Sequence, residues 1–530
     1  MRTRRAPLLL VGIGVAVALI VALPIVFLVL QAVQAGGHEV ARLAFRHLTG
    51  TLLWNTVRLA VVVSAGCAVI GTAVAWCVER TDVPGRRLFA ALLVIPVAIP
   101  DFVIAYAWSS AVPAMHGLWG AAWVMTLALY PLVFLPVAAT LRRTNPALEE
   151  TARSLGCGRW STFFRATLPQ IRAAILGGCL IVTLALLAEF GAFEILRYPT
   201  FTTTIYTEFT LGFNSPAASA LSCVLVALGI LVLAFELLAR GSARAQGNAT
   251  RTDRSPTRSR LERGRIPTAL GLTAFAGLAI GVPIGVIVHW FRHGTSAGIH
   301  GTSLLTATLH TGYYGIAAAA LACVMAVPIA ILAERHGSRA TTILERSTFL
   351  VQSIPGLVIG LGMVFFAIRY VRSLYQTNAL IIGAYAILFF PLALVCIRAS
   401  VAQADPALDD AARSLGSSPL SAWRRVTLPL ITPGLVAGFC LVFVSVASEL
   451  TLTLVLAPTG VHTLSTQFWA YESNTSYGAA APYAAALVVL AVVPSVILSR
   501  WFERRSGLFG SPVATPIEMA DLQALEGRPR

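Results

Sequence analysis

The feature of this sequence that most constrains its fold is a series of apolar stretches, each long enough to cross a lipid bilayer. A hydrocarbon core about 30 Å thick needs roughly 20 helical residues at about 1.5 Å per residue. Twelve stretches approach that length, near residues 7–33, 52–78, 88–112, 117–141, 171–190, 217–239, 266–291, 306–333, 347–369, 378–397, 431–456 and 479–500. Because backbone groups cannot stay unpaired in lipid, these stretches predict an all-α polytopic membrane protein with about 12 transmembrane helices.

The composition excludes a soluble globular protein. Of the 530 residues, 57% are hydrophobic and 12% charged, whereas soluble domains average roughly 45–50% and 25%. The first apolar run spans roughly 25 residues, which exceeds the 7–15 residues of the hydrophobic region in a cleavable signal peptide. We therefore expect it to be the first membrane helix.

The basic residues predict the orientation of the chain. All 39 are arginine, and 32 of them fall on alternate loops and at the two ends of the chain. Because arginine accumulates on the cytoplasmic side, both termini are predicted to be cytoplasmic. The charge is spread over short segments, which argues against nucleic-acid binding. Without lysine, the chain can form neither a P-loop nor a pyridoxal phosphate Schiff base.

The chain contains an internal duplication. Residues 145–169 align without gaps with residues 405–429, and 13 of the 25 positions are identical. The offset is 260 there and 255 earlier, where Glu79-Arg80 pairs with Glu334-Arg335. Six helices per half would make both halves enter the membrane in the same direction and place both repeated loops in the cytoplasm. Two equivalent loops predict a partner with two-fold symmetry.

The duplication predicts a sequential arrangement of segments. The expected units are a first half over 1–239 with a coupling loop at 142–170, an Arg/Ser-rich cytoplasmic linker over 240–265, a second half over 266–505 with a coupling loop at 398–430, and a disordered cytoplasmic tail over 506–530.

Each repeated loop has the signals of a short helix beneath the membrane. Asn145 and Asp405 can cap its start, with a proline following each at the first helical position. Gly156 and Gly416 suit the left-handed turn that ends it. An ordinary amphipathic interfacial helix is the alternative, although such a helix would not require the same glycine, arginine and Leu-Pro in both halves.

The pattern E-x-A-x-x-x-G followed by Leu-Pro, from Glu150 to Gly156 and with Asp410 replacing Glu in the second copy, resembles the EAA loop of permease subunits in binding-protein-dependent ABC importers. In that family the loop forms a coupling helix that docks in a groove of an ATPase subunit, and two copies in one chain resemble the fused permeases with the type I fold. The resemblance implies ATPase-coupling roles for Glu149, Glu150, Ala152, Arg153, Gly156, Leu168, Pro169, Asp409, Asp410, Ala412, Arg413, Gly416, Leu428 and Pro429.

The resemblance also implies partners and a location. A transport subunit of this family is not an enzyme and holds no cofactor, since ATP and Mg²⁺ belong to two copies of a separate ATPase. A periplasmic or lipoprotein solute-binding protein would deliver the substrate to this chain in the inner membrane, in contact with lipid.

The substrate is predicted from two apolar phrases. IPDFVIAYAW at 99–108 and the segment 187–209 look most like ferric-iron permeases. Related permeases for thiamine, phosphonate, polyamines or oxyanions remain alternatives. Two different classes also stay open: a gradient-driven secondary transporter, which can have two parallel six-helix halves, and a membrane-embedded enzyme, for which no catalytic residues can be assembled.

Charged or polar side chains within the spans are the pathway candidates, because such groups usually face protein or water. They are Asp101, Tyr106, Glu189 and Glu449. The alternative for Asp101 is pairing with Arg58 or with a backbone donor freed by the nearby prolines, and the alternative for the glutamates is interfacial exposure. His289 and His293 have i, i+4 spacing without an evident third ligand, so no metal site is predicted.

Overall fold

The computed structural model describes residues 7–34, 42, 45–142, 144–244, 261–294, 301–336, 341, 344, 348, 351 and 354–509. Over these residues the chain is helical and contains no β-strand, as the sequence predicts.

In the first half the α-helices are α1 (Leu8–Gln34), α2 (His47–Arg80), α3 (Arg86–Leu92), α4 (Asp101–Ala111), α5 (Gly117–Leu129), α6 (Pro131–Leu141), α7 (Pro146–Ser154), α8 (Arg159–Thr162), α9 (Leu168–Ala188), α10 (Gly191–Ile195), α11 (Phe201–Thr210) and α12 (Ser215–Arg244). In the second half they are α13 (Arg265–Ala276), α14 (Val282–His293), α15 (Gly301–Arg335), α16 (Gly356–Tyr370), α17 (Asn378–Gln403), α18 (Pro406–Ser414), α19 (Pro419–Ala422), α20 (Leu428–Ala447), α21 (Thr451–Leu456), α22 (Leu464–Glu472) and α23 (Tyr477–Phe509). Single π-helical turns join α8 to α9 (Phe163–Thr167), α13 to α14 (Gly277–Gly281) and α19 to α20 (Trp423–Thr427).

The predicted spans correspond to long single helices, to one bent pair of helices and to two shorter apolar helices. In the described part of the chain, nine helices are long and apolar enough to cross a membrane, and a bent pair makes a tenth. Shorter apolar helices, Gly356–Tyr370 and Tyr477–Val492, occupy the predicted spans 347–369 and 479–500. The helical character and multi-span arrangement are therefore confirmed.

The predicted continuous helix over 88–112 is wrong, because the chain breaks there. Residues Arg86–Ala98 and Asp101–Ala111 form two helical segments that meet at 94°. Pro96 and Pro100 lack the N–H groups that a continuous helix would need. Pro96 lies in a 3-10 turn, Ile95–Ala98, and Pro100 directly precedes α4. The break places Asp101 at the start of α4.

Several predicted boundaries shift. Helix α12 continues to Arg244, into the predicted linker, and α23 continues to Phe509, into the predicted tail. Residues 245–260 and 510–530, which hold most of the predicted linker and tail, lie outside the described residues. The predicted span 431–456 is two helices, because α20 ends at Ala447 and α21 begins at Thr451.

The halves exchange helices between two hydrophobic cores. One core combines first-half residues 59–198 with buried side chains of α13, α14, α22 and α23. The other combines second-half residues 314–456 with buried side chains of α1, α11 and α12. At one crossing, Gly362 of α16 faces the backbone of Pro24 in α1, where an added Cβ would lie 2.7 Å from a carbonyl oxygen. Each core is thus completed by helices from the opposite half.

Candidate functional site

The two repeated loops fold into matching short helices, α7 and α18. The side-chain oxygen of Asn145 accepts a hydrogen bond from the Ala147 N–H at 3.0 Å, and Asp405 does the same for Ala407 at 2.9 Å. Both helices end in the left-handed conformation, with φ of +84° at Gly156. The value at Gly416 is +87°. The predicted caps and turns are confirmed in both copies.

Glu149 ties the first loop to two spanning helices. Its Oε1 accepts hydrogen bonds at 2.8 Å from the Arg80 guanidinium and from the Thr167 hydroxyl. Arg80 is the last residue of α2, and Thr167 immediately precedes α9. The ion pair is buried, with the side chains of Arg80 and Glu149 only 3% and 9% exposed. One carboxylate therefore joins α7 to the end of α2 and to the residue that precedes α9.

Asp409 makes the same connection in the second loop. It pairs with Arg335 at the end of α15 and accepts from the hydroxyl of Thr427, which precedes α20, at 2.6 Å. Here the side chains of Arg335 and Asp409 are 19% and 16% exposed. The second connection repeats the first but is more open to solvent.

A further ion pair holds the base of each loop. Arg142 donates to Glu79 at 2.6 Å, and Arg398 donates to Glu334 at 2.5 Å. The hydrogen bond that Arg142 donates to the Glu79 carboxylate raises the pKa of the Arg142 guanidinium.

Sequence reasoning missed the basic and hydroxyl partners of the two carboxylates. Arg80 and Arg335 were aligned as repeated positions, and Thr167 and Thr427 are identical within the aligned loops. The signal was present in the duplication, but pairing across roughly 70 residues depends on how the helices pack.

The outer face of each loop remains exposed and apolar. Equivalent leucines project from it: Leu148 and Leu408 are 50% and 48% exposed, and Leu155 and Leu415 are 78% and 86% exposed. The remaining coupling candidates occupy equivalent environments: Ala152 and Ala412 are half-buried, Arg153 and Arg413 are exposed, Leu168 and Leu428 are half-buried, and Pro169 and Pro429 are exposed. Glu150 is exposed and Asp410 half-buried.

The pathway candidates meet where the halves join. Glu189 follows α9, and its carboxylate accepts from the Ala192 N–H at 2.7 Å. Glu449 follows α20 and accepts from the Leu452 N–H at 2.9 Å. Glu189 lies close enough to both Asp101 and Glu449 for their charges to interact. The structure therefore brings three carboxylates from both halves together.

The position equivalent to Asp101 in the second half is a glycine. A Cβ added to Gly356 would lie 2.9 Å from the Glu449 carboxylate. The acidic cluster is thus asymmetric, with Asp101 and Glu189 from the first half and Glu449 alone from the second.

Aromatic rings pack against one another across the junction near the carboxylates. Phe468 contacts Phe102 and Tyr106 with centroids 5.3 Å apart, and Phe190 contacts Trp469 at the same separation. The Tyr106 hydroxyl donates to the Tyr477 carbonyl oxygen at 2.7 Å. Tyr106 therefore links α4 of the first half to α23 of the second.

The contacts of Arg58, His289 and His293 test the alternative roles of these residues. Arg58 donates to the Tyr198 hydroxyl at 3.3 Å and forms no ion pair with Asp101 among the described residues. The His289 and His293 rings stack with centroids 4.8 Å apart. In the described part of the chain, no group of three or more His, Cys, Asp or Glu side chains is arranged to hold a metal ion.

Comparison with known proteins gives one family and several relatives. The family model described as "Binding-protein-dependent transport system inner membrane component" matches residues 67–251 and 326–507. The Fe(3+)-transport system permease protein FbpB 2 of Haemophilus influenzae is 36% identical over 94% of this chain and 99% of the relative. The sulfate transport system permease protein CysT of Escherichia coli is 30% identical over 41% of this chain and 86% of the relative. The ferric transport system permease protein FbpB of Actinobacillus pleuropneumoniae is 24% identical over 72% of this chain and 58% of the relative.

Proposed function

Because the chain belongs to the family of binding-protein-dependent transport system inner membrane components, we propose that it forms the ferric-iron pathway of an ATP-driven importer. It is a multi-pass permease of the inner membrane, with the family domain present twice in one chain. The proposal adds the substrate, the route by which ATP hydrolysis moves the chain, and the orientation of its ends.

The observation that carries the coupling proposal is the pair of ties through Glu149 and Asp409. Each joins an exposed loop to the ends of two spanning helices. One ATPase copy would seat on the leucines of each loop, and closure of the ATPase pair would pull both loops together. Because each carboxylate is bonded to both helices, this movement would rock the two halves at the aromatic junction.

The substrate proposal rests on the full-length relative named for Fe(3+) and on the chemistry of the junction. Ferric iron is a hard cation that prefers oxygen ligands. Asp101, Glu189 and Glu449 supply carboxylates that could contact the ion or its carrier in passing. A pathway must also release what it admits, so these contacts with the ion would be transient.

The orientation proposal rests on the arginine distribution, which favours a cytoplasmic position for both termini and both loops. Fusing a reporter that is active only outside the cytoplasm to residue 530 should give an inactive protein. The same reporter inserted after Thr459, between α21 and α22, should be active. The reverse pattern would place the loops on the side opposite the ATPase.

Transport is tested with the chain reconstituted in vesicles together with its ATPase and binding protein. Radioactive ferric iron should accumulate only with ATP on the ATPase side, and radioactive sulfate should not accumulate. Sulfate uptake without iron uptake would contradict ferric iron as the substrate but would still support an ATP-driven importer.

The gradient-driven alternative is tested with vesicles that contain this chain alone. A proton or sodium gradient should drive no uptake of iron. Uptake under a gradient and without the ATPase would overturn the coupling proposal.

Docking is tested with Leu148→Asp combined with Leu408→Asp, which places charge on the outer face of both loops. The ATPase should no longer co-purify, while the chain still inserts in the membrane. Leu148→Met with Leu408→Met preserves an apolar face and should retain the ATPase. Co-purification of the aspartate variant at the normal level would contradict docking at these loops.

A further inference from the structure

A cavity of about 700 Å³ lies between the last turns of α2 and the first repeated loop. Its volume falls within the roughly 300–1,000 Å³ of ligand sites in proteins. Its lining is mostly apolar and includes Val69 and Ala73 of α2, and its charged side chains are Glu149 and Arg153.

Two aromatic pairs form much of the wall. Trp76 and Phe163 meet edge to face with centroids 5.1 Å apart, and Trp160 and Phe164 stack at 6.4 Å. The cavity opens on the outside of the helix bundle, because Val69 is 70% exposed and Trp160 is 77% exposed. This opening lies at the end of a spanning helix, where tryptophan is enriched at membrane interfaces.

Arg153 lines the cavity as a cation that has no acidic partner in the part of the chain that the structure describes. Arg153 is exposed, while the nearest carboxylate in the lining, Glu149, is already bonded to Arg80 and Thr167. Arg153 also lies close enough to Arg80 for the two positive charges to repel. Among the described residues no ion pair involves Arg153, so an anion bound beside it would relieve the repulsion.

We propose that this cavity binds one anionic phospholipid, with an acyl chain between the aromatic pairs and the phosphate beside Arg153. The apolar lining matches a hydrocarbon chain, and the single cation at its edge matches a charged headgroup. On the proposed orientation the cavity faces the cytoplasmic leaflet, which carries anionic lipid. A bound lipid would fill the space between α2 and the loop that is tied to it.

The second half does not repeat this lining. At the equivalent positions Trp76 is replaced by Ile331, Trp160 by Leu420 and Phe164 by Arg424. The lipid site is therefore specific to the first half, and the second half supplies matched control positions.

The site is tested in nanodiscs holding the full chain with its ATPase subunits, in phosphatidylcholine with a minor fraction of photoactivatable phosphatidylglycerol. After illumination the label is mapped by peptide mass spectrometry. We expect it in residues 68–77 and 160–168, well above the equivalent segments of the second half. Arg153→Gln should lower the labelling roughly five-fold, the change that about one basic side chain confers near an anionic surface.

Cavity-filling variants separate the site from general lipid contact. Val69→Trp should reduce the labelling at least as strongly as the arginine variant, whereas Val324→Trp, at the equivalent and equally exposed position, should leave it unchanged. Ala73→Phe fills the same cavity and replaces Val69→Trp in the test if that variant does not fold. The elution volume of each variant in size-exclusion chromatography shows whether it is folded.

Three results would overturn the proposal. Equal labelling by photoactivatable phosphatidylcholine would identify ordinary surrounding lipid. Full labelling of both folded cavity-filling variants would place the lipid elsewhere. Labelling that is absent from these nanodiscs but present when the ATPase subunits are left out would show that protein, and not lipid, covers the cavity.

Discussion

At the scale of single residues, Glu149 and Asp409 make equivalent contacts in unequal surroundings. Glu149 and Arg80 are shielded from water, while Asp409 and Arg335 are partly solvated. Removing one member of a buried ion pair leaves an uncompensated charge, which costs about 3–5 kcal/mol. The cost is smaller where water reaches the remaining charge. The two loops should therefore differ in their sensitivity to substitution.

We predict that Glu149→Ala lowers the thermal unfolding midpoint of the purified chain more than Asp409→Ala does. The reason is that Arg80 would be left charged and only 3% exposed. Glu150→Ala, at the adjacent exposed position, is the control and should unfold at the wild-type temperature. Equal midpoints for the Glu149 and Asp409 variants would contradict the difference in burial.

A second residue-scale prediction concerns the glycine that ends α7. Gly156 has φ of +84°, and a Cβ there would meet nothing within 4 Å, so conformation alone opposes a side chain. Left-handed backbone costs an L-residue roughly 1–2 kcal/mol. Gly156→Val should impair binding-protein-dependent uptake, and combining it with Gly416→Val should abolish uptake while both variants still reach the membrane.

Gly158 provides the matched control, since it lies in the same loop, has equal space and lacks positive φ. Gly158→Val should transport normally. If the Gly156 and Gly158 variants transport equally, the shape of the turn does not matter for coupling.

At the scale of elements, α9 shows how closely the spanning helices approach. Its two adjacent glycines differ in the space around them. A Cβ on Gly178 would lie 2.8 Å from the Val133 backbone of α6, whereas a Cβ on Gly177 would meet nothing within 4 Å. Small residues allow such approach in membranes, where packing rather than the hydrophobic effect holds helices together.

We predict that Gly178→Leu destabilises the chain by about 1–3 kcal/mol, the usual cost of overpacking. Gly177→Leu should have little effect. The comparison is made by heating the purified variants and measuring the fraction that stays monodisperse. Equal loss for both variants would mean that α9 and α6 are not packed as closely as described.

The sequence predicted elements well where the signal is local. Hydrophobic length located the spans, and Asn145 and Gly156 marked both ends of a nine-residue helix. The prediction failed where the structure depends on packing against other helices. The 94° bend at Pro100 was not predicted, because proline within a span can be tolerated when other helices satisfy the backbone.

The candidate site, too, was predicted where the signal lies in the sequence itself and missed where it depends on helix packing. The coupling loops were found because the duplication displays them twice. The clustering of Asp101, Glu189 and Glu449 could not be derived, since it requires knowing which faces of α4, α9 and α20 turn towards the junction of the halves.

At the scale of the whole molecule, the two halves of the sequence are not two independent bodies. The core of the first half is completed by α13, α14, α22 and α23, and the core of the second by α1, α11 and α12. A rocking motion of the cores would therefore carry helices of both halves on each side.

This exchange predicts how the chain behaves when it is divided. Fragments 1–244 and 261–530, produced together, should assemble and co-purify through a tag on one of them. Each fragment alone should be depleted from the membrane, because its core lacks the helices that complete it. Removing residues 1–34 from the first fragment should prevent co-purification. Wild-type abundance of either fragment alone would show that the halves are separable.

The exchange of α1 also has a consequence for synthesis. Helix α1 ends at Gln34, yet the helix it packs against, α16, begins only at Gly356. Roughly 320 residues must be translated in between, which at about 5–20 residues per second takes on the order of tens of seconds. During that interval the newly inserted helix can pack first against α12 and then against α15. The face that α16 covers stays without its partner, and a ribosome that stalls before Gly356 leaves that face open to the proteases of the membrane.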